Sequence, residues 1–144
     1  MECIFCNIAA KKVKSSVIFE TESVIAILDI RPVNFGHALV LPKKHYDNFL
    51  TIPNNELSEL IKITKWLAGA VKRGVQATGF NVLSNNGISA GQSIFHFHFH
   101  IIPRFDHDNK FKILTENYNS QSLMEDYKNK IIEVAKKYEE FLNE

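Results

Sequence analysis

Apolar and polar residues alternate, run together or recur at three and four along this chain, and each period predicts an element. Residues 94–102, Ile-Phe-His-Phe-His-Phe-His-Ile-Ile, alternate strictly. A strand there would show His96, His98 and His100 on one face and Phe95, Phe97, Phe99 and Ile101 on the other. Residues 17–20 and 23–28 read as a hairpin turned by Thr21-Glu-Ser23. His37-Ala-Leu-Val-Leu41 is apolar on both faces, so it should lie centrally in the sheet, and Pro42 stops it. Residues 80–84 form a fourth strand. Leu57, Leu60, Ile61, Leu67, Ala68, Val71 and Val75 predict a long helix from about Asn55 to Ala77, capped by Asn54 or Asn55 and ended by Gly79. Ile63, Trp66 and Ala70 form a second stripe beside the first, suited to a partner subunit. A helical turn is expected within residues 7–14. The last helix is expected over residues 123–142, with Tyr127, Ile131, Val134, Ala135, Tyr138 and Leu142 on one face and a Ser122/Glu125 capping box. The sum is an α+β domain: a mostly antiparallel sheet of about five strands, one long helix packed on it, and a C-terminal helix.

Composition narrows the class. The 144 residues fit one domain spanning 1–144, and 45% hydrophobic with 23% charged residues is ordinary for a globular chain. A net charge of +1, from 17 basic and 16 acidic side chains, offers no field for bulk nucleic acid. No stretch has the length of a membrane span, and no basic segment precedes an apolar run at the N-terminus as in a secretory signal. Cytoplasmic location is the default expectation.

Two clusters carry candidate chemistry. Cys3-Ile-Phe-Cys6 has the spacing of a zinc half-site. Spacing alone lets His37, His45, His96 or His107 complete it. A thioredoxin-like pair would sit after a strand and open a helix, whereas these cysteines start the chain. The three alternating histidines invite a metal too. On a flat strand, however, the outer imidazoles stand about 13 Å apart, too far for all three to reach one ion about 2 Å from each nitrogen. The roles should therefore divide, one outer histidine taking a metal and the others serving chemistry. Residues 85–93, Asn-Asn-Gly-Ile-Ser-Ala-Gly-Gln-Ser, suit an anion-holding loop of amides and hydroxyls.

Together these segments resemble the histidine-triad (HIT) superfamily. His96-Phe-His98-Phe-His100-Ile-Ile is similar to its triad signature. Asp29-Ile-Arg-Pro-Val-Asn-Phe-Gly-His37-Ala-Leu-Val-Leu-Pro42 resembles its nucleoside-binding strand and glycine-histidine turn. Asn85 with Gly91-Gln92-Ser93 resembles its phosphate loop, and Cys3-x-x-Cys6 its zinc-bearing, largely bacterial branch. The agreement spans residues 3 to about 104; the helical extension from about 122 to 143 carries no motif of the family.

The resemblance implies a homodimer with paired five-stranded sheets that binds purine nucleotides or their conjugates. It implies hydrolysis or transfer at the α-phosphate of nucleoside phosphoramidates or dinucleoside polyphosphates. It makes His98 the nucleophile, His100 the holder of a phosphate oxygen, His96 the first triad member, and His37 a fourth histidine behind them. Asp29 would receive the ribose, and Asn85, Gly91, Gln92 and Ser93 the phosphate or leaving group. Cys3, Cys6, His45 and His96 would bind structural zinc, and no catalytic metal is required. Ile4, Phe5, Ile8, Phe19, Ile27 and Ile30 are candidate walls for the base. Lys110 and Lys112 would receive extra phosphates if the leaving group is a nucleotide, although lysines in a polar loop are ordinarily just solvated. Activity should fall below about pH 6, as an exposed imidazole with a pKa of about 6.5 takes up a proton. Two rivals stand beside this reading: a regulatory nucleotide-binding protein with incidental hydrolysis, and an unrelated metalloenzyme.

Overall fold

The sheet is built by antiparallel pairing alone. In a computed structural model describing residues 2–143, β1 (Val17–Glu20), β2 (Val24–Leu28), β3 (Ala38–Pro42), β4 (Gly79–Leu83) and β5 (Phe99–Arg104) pair in the order β1-β2-β3-β5-β4. The doubly apolar β3 is central and buried throughout, as its composition predicts. Period-two alternation then sorts the two faces. Val24 and Ala26 of β2, Ala38 and Val40 of β3, and Phe99 and Ile101 of β5 pack with Leu60, Leu67 and Ala68 of α2 (Asn54–Gly74). Ile25, Ile27, Leu39 and Leu41 point the other way and pack with Phe5 and Ile8 of α1 (Ile4–Ala9). The chain divides after Lys110 into two compact units. The second carries α3 (Gln121–Lys137) and a closing 3-10 segment (Glu139–Asn143), and none of the residues of α3 is buried.

The structure corrects several boundaries. The histidine segment is a regular strand only from Phe99 onward, so only His100 of the triad lies in it. Before that the backbone bonds elsewhere: Phe97 N–H donates to the carbonyl of Tyr46 at 2.6 Å, outside the ladder. The N-terminal helix begins at Ile4 rather than at residue 7, because the Cys3 Sγ accepts Cys6 N–H at 3.4 Å and caps it. Pro53, with no side-chain bond, occupies the cap of α2 in place of an asparagine. That helix ends at Gly74, Gln76 turns left-handed at φ 56°, and Gly79 opens β4 instead of closing the helix. Ser120 caps α3, its Oγ accepting Leu123 N–H at 3.1 Å, in place of Ser122.

One change concerns the core. Ile61, expected on the buried stripe of α2, is 43% exposed, while Thr64 is fully buried. The threonine is tolerated there because its hydroxyl donates to the Leu60 carbonyl at 2.8 Å, within its own helix. Trp66 of the second stripe is 58% exposed, its ring edge-on to Phe19 at 4.9 Å. Leu60→Ala should therefore cost roughly 2–5 kcal/mol, and Ile61→Ala under about 1 kcal/mol. Urea denaturation of both variants checks this; equal losses would mean the helix is rotated from its place here.

Candidate active site

Where the ladder gives out before β5, the three imidazoles part. His98 and His100 turn to the α1 face of the sheet and line a cavity of about 520 Å3 with Ile4, Phe5, Ile8, Ile27, Asp29, Ile30 and Ser93. Register explains the grouping: Leu39 pairs with both Ile27 and His100, so these three side chains form one row across the strands. Asp29 continues the parity of Ile25 and Ile27, and His37 that of Leu39 and Leu41. Phe19, expected in this wall, lies on the other face. An irregularity between Val17 and Phe19 sets Phe19 opposite Ala26, which packs toward α2.

Hydrogen bonds fix the proton on each ring. A carbonyl only accepts, so the 2.7 Å bond from His98 Nδ1 to the His96 carbonyl puts the proton of His98 on Nδ1 and leaves a lone pair on Nε2. Val33 N–H donates to His37 Nδ1 at 3.0 Å, so the proton of His37 is on Nε2. That Nε2 donates to His100 Nδ1 at 2.9 Å, which leaves His100 Nε2 as a free N–H donor. Two adjacent imidazoles thus have opposite characters: His98 offers an electron pair and His100 a proton. Asp29 Oδ2 lies 3.7 Å from His37 Nε2, and Asp29 Oδ1 accepts Arg31 N–H at 2.9 Å.

Burial keeps these rings neutral. It pushes His98 and His37 below the ordinary imidazole pKa, and carries His100 down to about 4 with the help of His98 and His37. His98 is only 8% exposed. The expectation of an exposed ring protonating near pH 6 is therefore corrected: its lone pair should persist to lower pH.

The loop between β4 and β5 is held by one side chain. Gln92, 5% exposed, accepts Gly87 N–H at 2.8 Å and donates to the carbonyls of Asp47 (2.6 Å) and Ile94 (3.2 Å). Gly87 and Gly91 take φ of 89° and 85°, which a side chain would resist. Gln92 thus shapes the loop from within, and Ser93 is the loop residue that reaches the cavity together with Ile94. Asn85 packs beside Gly91. The sequence reading missed a second clamp. Asp108, just beyond β5, accepts Arg104 Nε (2.8 Å) and Nη2 (2.6 Å), Asn34 Nδ2 (3.0 Å) and Phe105 N–H (3.0 Å). It ties the turn that carries Val33 and His37 to the end of β5. An Arg and an Asp four residues apart were its only sequence signal, and that spacing is common on any surface.

His96 turns away from the cavity. Its ring is fully buried and donates through Nε2 to the Pro42 carbonyl at 2.7 Å, so Nδ1 carries the lone pair. That nitrogen lies 3.4 Å from Cys3 Sγ and 3.5 Å from Cys6 Sγ. His45 Nε2 donates to Asp47 Oδ1 at 2.9 Å, which turns its Nδ1 lone pair to Cys6 Sγ at 3.5 Å. The four ligand atoms lie within 4.8 Å of one another. A tetrahedral zinc with bonds of about 2.3 Å to sulfur and 2.0–2.1 Å to nitrogen spaces S and N by about 3.5 Å. The donors thus fit zinc in kind, number and spacing, and His37 and His107 are not among them. The residues that outer-shell partners would have to orient are already oriented.

Comparison with known proteins agrees with this geometry. A family profile described as "HIT domain" matches residues 10–107. An uncharacterized HIT-like protein of Methanocaldococcus jannaschii is 46% identical over 106 residues, covering 74% of this chain and 81% of that protein. An adenosine 5′-monophosphoramidase of Saccharomyces cerevisiae is 42% identical over 104 residues, covering 72% and 63%. The crystal structure of a HIT family protein from Bacillus anthracis superposes with a TM-score of 0.86 at 35% identity, covering 94% of this chain and 96% of that one. A Zn-bound histidine triad family protein from Mycobacterium smegmatis superposes at 0.73 with 33% identity, covering 81% and 85%.

The zinc fit has a direct check. The purified chain should take up one zinc per protomer, raising its melting temperature. Cys6→Ser should lose that uptake and His107→Ala should keep it, both read by metal analysis and thermal melts. Equal zinc in Cys6→Ser and wild type would dismiss the cluster as a metal site.

Proposed function

The chain belongs to the HIT family of histidine-dependent nucleotide hydrolases, and on that premise we propose that it cleaves nucleoside phosphoramidates or dinucleoside polyphosphates at the α-phosphate through a nucleotidyl-His98 intermediate. The observation that carries the reading is the 2.7 Å bond from His98 Nδ1 to the His96 carbonyl, which leaves Nε2 unprotonated at the cavity wall. The printed name of the yeast relative supports the phosphoramidate as one substrate class.

In the first step the Nε2 lone pair attacks phosphorus, an N–P bond forms, and the bond to the leaving amine or phosphate breaks. The leaving group departs with the electron pair and takes a proton, for which the Ser93 hydroxyl at the cavity wall is the nearest polar candidate of the loop. The His100 Nε2–H donates to a non-bridging oxygen as charge gathers there. In the second step water attacks the phosphorus from the side the leaving group vacated, its proton replacing the one Ser93 gave up, and the N–P bond breaks to release a nucleoside monophosphate and restore the lone pair of His98. Asp29 Oδ2 receives the ribose hydroxyls, and Ile4, Phe5, Ile8, Ile27 and Ile30 hold the base. No step in this scheme asks for a metal. Zinc at Cys3, Cys6, His45 and His96 would be structural, joining α1 to the segments on either side of the cavity, as in the zinc-bearing bacterial members of the family. Its thiolates suit the reducing cytoplasm.

A homodimer completes the proposal. Among the described residues β4 is an edge strand, paired on one side with β5, and it carries Phe80 (44% exposed) and Val82 (39%) as an apolar strip.

Two outcomes follow. Wild type mixed with a guanosine or adenosine phosphoramidate should yield a trapped adduct whose added mass maps to His98, and His98→Asn should lose at least about a thousandfold in kcat. The acid limb of kcat/KM should fall below the ordinary imidazole value of about 6.5, since burial lowers the His98 pKa. Turnover surviving in His98→Asn would leave only the binding-protein or metalloenzyme reading. Separately, sedimentation at micromolar concentration should give twice the chain mass, reduced to one chain by Val82→Glu; a monomeric wild type would refute the dimer.

A further inference from the structure

The cavity has a second end. From the row Ile27–Leu39–His100 it extends past Asp29 to Lys14, Ser15 and Arg31. Leu28 N–H donates to the Ser16 carbonyl at 2.9 Å, so residues 14 and 15 continue beside 29 and 30 at the β1 edge of the sheet. β1 and β5 are separated by three strand spacings, which is about 14 Å. With phosphorus at His98 and ribose at Asp29, the base of a bound nucleotide would lie toward Lys14 and Arg31.

These two are the only permanent cations in the cavity wall. Both are exposed, and neither side chain has a hydrogen bond or ion pair among the described residues. Lys offers three donors and Arg five, and neither can accept. Their neighbours Val13 and Ile30 are apolar, so beyond Asp29 and apart from the Ser15 hydroxyl the polar side chains at this end are donors. Such an end suits a base edge made of acceptors. A 6-oxopurine presents O6 and N7 side by side, whereas adenine sets an amino donor next to N7. An amino group facing an ammonium or guanidinium leaves both donors without a partner.

We propose that Lys14 and Arg31 are specificity-determining residues that make the cavity prefer 6-oxopurine nucleotides, guanine or hypoxanthine, over adenine nucleotides. The proposal rests on the nucleotide reading above and adds the base. Its test is calorimetric binding of GMP, IMP and AMP, with kcat/KM for guanosine and adenosine 5′-phosphoramidates, in wild type and in Lys14→Met/Arg31→Met. Wild type should favour GMP over AMP on the order of tenfold. IMP, which shares O6 and N7 with GMP but lacks its 2-amino group, should follow GMP. The double variant should bring the ratio toward one through KM rather than kcat. Equal binding of GMP and AMP by wild type, or a ratio unmoved in the double variant, would overturn the proposal while leaving His98 chemistry standing. So would adenosine 3′,5′-bisphosphate binding more tightly than GMP, which would assign the cations to a ribose phosphate. Failure of all these nucleotides to bind would take the nucleotide reading down as well.

Discussion

One carbonyl oxygen, that of His96, decides the chemistry of the cavity. It can only accept, so it holds the proton of His98 on Nδ1 and frees Nε2. The side chain of the same residue is pinned between the Pro42 carbonyl and the two sulfurs. Residue 96 thus joins a metal-type cluster through its ring and the reactive imidazole through its peptide. This is the physical reason for a structural site to stand two residues from a nucleophile without sharing its chemistry.

The rest of the site follows from keeping neutral rings satisfied inside a sheet. Every imidazole nitrogen that is buried must find a partner, because an orphan costs about 1–3 kcal/mol. Among the described residues no buried side-chain nitrogen or oxygen is without one. The chain of donors from Val33 N–H through His37 to His100 achieves this with one free N–H left over, directed at the cavity. Asp108 and Arg104 then hold the turn from which that chain starts. The loop on the opposite side is held in the same manner by Gln92, which uses its whole amide on backbone groups.

What could be read from the sequence was whatever depends on period. The alternation of 97, 99 and 101 against 98 and 100 survives even where no ladder is formed, because successive side chains still diverge. The central place of β3 was equally plain from its doubly apolar pattern. Features set by one long-range contact were not legible. Nothing local announces that Phe97 bonds to Tyr46 and so ends the strand early. Nothing marks the irregularity after Val17 that sends Phe19 to the other face. The choice of Ser120 over Ser122 depends on a single local bond that both residues could have made. The choice of His45 over His37 and His107 as a zinc ligand depends on folding alone, since spacing treats them alike. Thr64 in the core is a case in which hydropathy misleads, because its helix supplies the acceptor that water would otherwise provide.

Neutral histidines also change what the site must use against an anion. With His98, His37 and His100 all held below the ordinary imidazole range, no positive charge stands at the phosphate end of the cavity at neutral pH. Stabilisation there has to come from oriented donors, the His100 N–H and the loop groups, whose value rises as water is excluded. Fixed positive charge enters the cavity wall at the other end, through Lys14 and Arg31, beyond the Asp29 carboxylate. Attack and recognition are therefore separated along the sheet: before β5 burial maintains the lone pair of His98 against the opposing pull of Asp29, and at the β1 edge the exposed Lys14 and Arg31 carry their charge. The three strand spacings between them, about 14 Å, exceed the screening length at physiological salt, so these exposed cations bear only weakly on the protonation of His98.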